Sequence, residues 1–161
     1  MINGITNALL WFLAIGSGLL AGVYFAFSAF IMSALGRIEI PAGIASMNAI
    51  NNVILRSPFM PLFLTSTLAA LILTVIALFQ WQQPGSVAII SGGVIYLLGM
   101  FICTVAFNVP LNDALAVVDP SSAQGVEVWS HYLRDWTFWN HIRTVASIFS
   151  SVLCIYALVI R

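Results

Sequence analysis

Charge is missing from three long stretches of this sequence, and that gap pattern limits the folds open to it more than any motif. No charged residue lies before Arg37, between Arg56 and Asp113, or between Arg143 and Arg161. The chain is 61% hydrophobic and 6% charged, against roughly 25% charged in soluble domains, so lipid rather than water is its main solvent. A spanning helix needs about 20 mostly apolar residues, because the hydrocarbon layer is ~30 Å thick and each residue rises 1.5 Å. Each charge-free stretch can therefore cross at least once. The middle one, 57–112, would be about 84 Å long as one helix, so it must turn back, and Gln80, Gln82, Gln83, Pro84 and Gly85 mark the place. Spans are expected near 8–34, 59–79, 86–107 and 141–159. The predicted fold is an all-α, four-helix integral membrane bundle forming a single domain over 1–161, with a long, partly helical loop between helices three and four.

The N-terminal segment has no basic n-region and too long an apolar run for a signal peptide, so it reads as a retained first helix. Arg37 and Arg56 fall in the first loop and Arg134 and Arg143 at the end of the third, while the second loop has no arginine. The positive-inside rule then predicts loops one and three in the cytoplasm and both termini outside, in what would be the inner membrane of a bacterium. The net charge of zero suggests no nucleic-acid partner. The chain has no lysine, which excludes a P-loop lysine and a pyridoxal phosphate Schiff base. Cys103 and Cys154 fall inside spans without CxxC spacing and read as small apolar packing residues. Two isolated histidines give no metal-ligand pattern, and neither a dinucleotide loop nor a hydrolase elbow is present.

Helix one carries Gly18, Gly22 and Ala26 at helical spacing, a small-residue face suited to close helix packing and leaving homo-oligomerisation open. Gly92, Gly93 and Gly99 on helix three read the same way. In the first loop, Ser46–Arg56 is expected as a short helix on the membrane surface.

Two groups of side chains are candidates for chemistry. On an uninterrupted helix Thr104, Asn108 and Asn112 would share a face, but Pro110 is expected to break that helix, leaving the two Asn side chains either to satisfy freed backbone groups or to bind a substrate. Trp129, Tyr132, Leu133, Trp136, Asn140 and Arg143 would form one helical stripe with Trp139 at its edge, serving either as an interfacial aromatic belt or as the wall of a site. Arg143 enters the fourth span, where an ionised group must snorkel, pair, or face a polar cavity. It is the leading candidate, able to clamp a phenolate or enolate oxygen or to pair with Asp135 or Asp113. His131 and Asp135, one turn apart and off the Trp stripe, read as a solvated ion pair.

Gly22-Val23-Tyr24, Met47-Asn48-Ala49-Ile50-Asn51, Asn108-Val109-Pro110-Leu111-Asn112 and Trp136-Thr137-Phe138-Trp139-Asn140-His141-Ile142-Arg143 occur in that order. In this combination the chain resembles the anthrone oxygenase-like family of small membrane proteins. The resemblance implies a four-helix membrane bundle and, as in characterised fungal members, oxidation of a polyketide anthrone to its anthraquinone by O2 without metal or flavin. It also implies that Asn108, Asn112, Asn140 and Arg143 contact phenolic and enolate oxygens while Trp136 and Tyr24 wall the rings; Asn51, Trp129, Tyr132 and Trp139 are further substrate-binding candidates.

Two readings follow. One is an enzyme, an oxidoreductase needing no cofactor, that acts on a hydrophobic aromatic small molecule drawn from the lipid bilayer. The other is a non-enzymatic binding or assembly protein. A proton- or ion-coupled transporter would need a carboxylate or His deep in the membrane, and the sequence offers none.

Overall fold

The computed structural model describes residues 2–161, with side-chain surroundings from residue 4 onward. Among the described residues, four helices are long and apolar enough to cross a membrane: α1 (Gly4–Leu35), α3 (Phe59–Phe79), α4 (Ser86–Val117) and α5 (Ala123–Ile160). A fifth, α2 (Ile40–Ile54), joins α1 to α3. No strand occurs among the described residues. The protein is an all-helical, multi-pass membrane bundle in which α1 packs on α3 and α5, and α4 packs on the same two neighbours.

The interior is built for a lipid solvent. Large apolar side chains such as Trp11, Leu19, Leu68, Leu78 and Ile155 are exposed, whereas Ser17, Ser66, Ser147 and Ser150 are buried. Lipid tails are as apolar as leucine, so burying leucine drives little association, and small residues that let helices approach closely carry more of the packing. A Cβ at Gly93 would fall onto Thr74 Oγ1 and lie 3.0 Å from the Ala70 carbonyl, and one at Gly99 would lie 2.6 Å from Ala146 Cβ. These helix-three glycines are packing residues, as expected. The helix-one face differs: Gly18 approaches only Ser151, at 3.5 Å, and nothing lies within 4 Å of a Cβ at Gly22. The close approach on α1 is made instead by Gly16, against Ser66. At the return between α3 and α4, Gly85 takes φ +83°, a left-handed conformation that favours glycine.

The main departure from expectation lies between helices three and four. Residues 109–140, predicted as a long, partly helical loop, are almost wholly helical extensions of α4 and α5, and only 118–122 connects them. Ser122 caps α5 by accepting a hydrogen bond from the Gly125 N–H at 2.9 Å. Pro110 does not break α4. Leu97–Ile102 and Thr104–Asn108 are π-helical, and Pro110 sits in the first turn of the α-helical segment that resumes at Val109. A proline is tolerated in a first turn, and the wider turn before it relieves the clash with the preceding carbonyls. α2 likewise starts earlier than the expected Ser46, because Pro41 occupies its first turn and initiates it rather than preceding it.

At 38 residues α5 is about 57 Å long, nearly twice the hydrocarbon thickness. Its N-terminal half, the last turns of α1, all of α2 and the end of α4 form a second core beyond the bundle core, built on Phe27, Met32, Ile44, Met47, Leu115, Trp129, Tyr132 and Trp136. The two cores meet at the level of Tyr24 and Arg143.

Candidate functional site

Along α5 the sequence places Trp129, Tyr132, Trp136, Asn140 and Arg143 on one face, and all five are buried. The first three stack as a ladder, with centroids 5.8 Å and 5.7 Å apart and interplanar angles of 12° and 20°. They do not form an interfacial belt. Trp129 lies on α2 at Gly43, where a Cβ would come within 2.7 Å of its ring, and it is part of the second core. Trp139 is half-buried outside the stripe and stacks on Phe107 at 3.7 Å.

Arg143 is 5% exposed. Its Nη2 donates to Asn140 Oδ1 at 2.9 Å, and its guanidinium lies over the rings of Tyr24 and Trp136 at 4.5 and 4.9 Å. Of the two alternatives for Arg143, the carboxylate pairing with Asp135 or Asp113 does not form. Asp135 is held by His131 at 2.8 Å and Arg134 at 2.6 Å on the exposed side of α5, and Asp113 is exposed. His131–Asp135 is thus the peripheral ion pair that the sequence predicts. Asn140 fixes the guanidinium to α1: its Nδ2 donates to the Tyr24 carbonyl and to Ser28 Oγ, both at 2.7 Å.

Arg143 faces a cavity of about 310 Å³ lined by residues of all five helices, near the lower end of the roughly 300–1,000 Å³ usual for small-ligand sites. Aromatic walls come from Tyr24, Phe27, Phe59, Phe63, Phe101 and Trp136, and polar groups from Asn51, Thr104, Asn112 and Arg143. At its rim Val23, Leu64, Val105 and Val109 are also exposed on the apolar exterior, so the cavity reaches the lipid-facing surface. Three N–H groups of lining residues are buried without a protein partner: Asn51 Nδ2, Trp136 Nε1 and Arg143 Nε. Native structures leave few such groups, and each calls for an explanation. The arrangement can receive a flat, largely apolar molecule that presents acceptor oxygens to the Arg143 end.

Of the residues singled out from sequence, Tyr24, Asn51, Asn112, Trp136 and Arg143 line the cavity. Asn140 stands directly behind it. Thr104, Asn108 and Asn112, which an uninterrupted α-helix would bring onto one face, are divided across the π-helical turns: Thr104 and Asn112 face the cavity, while the buried Asn108 donates to the Trp136 carbonyl at 3.2 Å. Tyr132 is not a lining residue but positions one, its hydroxyl donating to Asn112 Oδ1 at 2.7 Å. Trp129 and Trp139 are outside the lining. Phe59, Phe63 and Phe101 were not identified from sequence, because an inward phenylalanine in an apolar span carries no local mark that separates it from a lipid-facing one.

Cys103 and Cys154 are buried free thiols, as expected. No group of three or more His, Cys, Asp or Glu side chains placed to hold a metal occurs among the described residues. In comparison with known families, the model for a family described as anthrone oxygenase aligns with residues 51–153, a stretch that holds Asn51, Asn112, Trp136, Asn140 and Arg143. No curated protein and no solved structure matches the chain.

Proposed function

The chain belongs to the anthrone oxygenase family, and on that premise we propose that it oxidises a planar, phenolic, membrane-partitioned substrate of the anthrone type with O2, without a cofactor, in the Arg143 cavity. The single observation that carries this reading is a buried guanidinium with no carboxylate partner at the end of an aromatic cavity. Loss of a proton from an anthrone methylene leaves an electron-rich enolate that can pass an electron directly to O2. The protein's task is then to bind and stabilise that anion, for which charge-assisted N–H donors in a low-dielectric site are the effective device. Overall the methylene becomes a carbonyl: one oxygen atom of O2 enters the product, and the other leaves as water with the two methylene hydrogens.

In this reading Arg143 and Asn112 contact the oxygens, Tyr24 and Trp136 hold the ring faces, and Asn140 and Tyr132 position Arg143 and Asn112. The exposed apolar rim suits a substrate that arrives from lipid. The same account puts the α2 end of the bundle in the cytoplasm, supported by Arg37, Arg56 and Arg134 there. A reporter fused to the C-terminus should then be active only on the far side of the membrane, and cytoplasmic activity would reverse the assignment.

The test is oxygen uptake by the detergent-solubilised protein with a simple anthrone, against a no-protein blank because anthrones also oxidise spontaneously. Uptake well above blank, one O2 per anthraquinone formed and unchanged by chelator, is expected. No acceleration by folded protein would reject anthrone oxidation and favour a binding or assembly role for the cavity.

A further inference from the structure

Cofactor-free oxidation of a carbon acid requires that a proton be removed, and the cavity offers nothing to take it. Among the described residues the lining includes no Asp, Glu, His or Cys. The titratable groups near the Arg143 guanidinium are Tyr24 of α1, Cys103 of α4 and Tyr132 of α5. α2 and α3 add apolar side chains and Asn51 to the lining, but no titratable group. Phenols and thiols ordinarily lose their protons near pH 10 and 8.5, so at pH 7 none of the three is a base. All three are also engaged as donors: Tyr132 to Asn112 Oδ1 at 2.7 Å, Cys103 to the Trp139 carbonyl at 3.7 Å, and Tyr24 to Met100 Sδ at 3.5 Å.

The positive charge is therefore unmatched. A buried cation without a counter-ion is expensive, and three N–H groups beside the cavity lack partners: Arg143 Nε, Trp136 Nε1 and Asn51 Nδ2. We propose that the cavity is an anion site that takes its aromatic ligand already ionised, as a phenolate or enolate, with the proton left to water or buffer outside the protein and the electron pair retained on the ligand. The inference rests on the reading of this cavity as the substrate site, and it replaces a catalytic base by selection of the ionised ligand.

The experiment uses 4-nitro-1-naphthol, a planar phenol whose anion is coloured and which has no methylene to oxidise. Its ionisation is followed spectroscopically as a function of pH with the detergent-solubilised protein and with micelles alone. The apparent ionisation midpoint of the protein-bound dye should fall by at least one pH unit, a tenfold or greater preference for the anion. That shift should vanish in Arg143→Met and survive in part in Arg143→Lys, with each variant shown to be folded by its circular dichroism and elution profile. A bound dye whose midpoint matches the micelle blank, a shift that persists in Arg143→Met, or no binding would each overturn the proposal. Because the dye cannot be oxygenated, these results are independent of whether the protein turns over an anthrone. A positive shift without anthrone oxidation would leave the anion site standing and remove only the proposed reaction.

Discussion

Arg143 and Asn140 form the smallest unit on which the account depends. Asn140 Oδ1 accepts from the guanidinium at 2.9 Å while Asn140 Nδ2 ties it to the Tyr24 carbonyl and Ser28 Oγ, so a neutral amide orients the cation without neutralising it. Asn140→Asp tests that distinction: it keeps the side-chain size and sets a carboxylate against the guanidinium, while Asn140→Ala, which loses the Nδ2 donor to the Tyr24 carbonyl and Ser28 Oγ without adding charge, is the control. A carboxylate–guanidinium pair would satisfy Arg143 internally and repel an incoming anion. Turnover of anthrone should fall by about a hundredfold or more, the loss expected when a stabilising donor is taken from the developing charge, while the protein remains folded. Wild-type rates in Asn140→Asp would show that the charge of Arg143 is not what the substrate meets. Arg143 was legible from sequence because a lone arginine inside an apolar span demands an explanation. That Asn140, and not Asp135 or Asp113, partners it was not, because either acid could reach it on an unfolded string and only the rotations of α5 and α4 send Asp135 and Asp113 outward.

At the scale of elements, helix packing here turns on which glycine meets which neighbour. Gly93 presses on Thr74, whose hydroxyl already donates to the Ala70 carbonyl at 2.7 Å, whereas Gly22 faces open space. Gly93→Val should therefore destabilise the α3–α4 contact by about 1–3 kcal/mol or more, as overpacking of a tight core does. Gly22→Ala should be neutral or stabilising by up to about 1 kcal/mol, through helix propensity alone. Thermal unfolding in detergent checks both, and equal effects of the two changes would contradict the packing described. The four spans were readable because charge and hydropathy decide membrane crossing locally. Their true lengths were not. The aromatic, charge-bearing segment 109–140 reads as a loop when judged by hydropathy, yet it is helical because its stripe from Trp129 to Trp136 finds a second core in α1, α2 and α4. The π-helical turns before Pro110 were equally invisible. They separate Asn108 from Thr104 and Asn112, although simple helical spacing unites the three.

For the whole molecule, the cavity exists because long helices carry a second core past the bundle and leave a gap where the two cores meet, lined from every helix and open at Val23, Leu64, Val105 and Val109 to the apolar exterior. The architecture joins three things that a water-soluble site would find hard to combine: access for a lipid-dissolved aromatic, exclusion of water, and an unpaired cation held rigidly at the inner end. The central claim is that this cation carries the family's chemistry. The most direct measurement is kcat/KM for anthrone oxidation by wild type and by Arg143→Met, each corrected for the spontaneous rate and normalised to folded protein. The account predicts a loss of about 10²–10³-fold in the variant, the range for removing a principal oxyanion donor, with the helical content and elution profile of the wild type. A folded Arg143→Met protein that oxidises anthrone at the wild-type rate would contradict it.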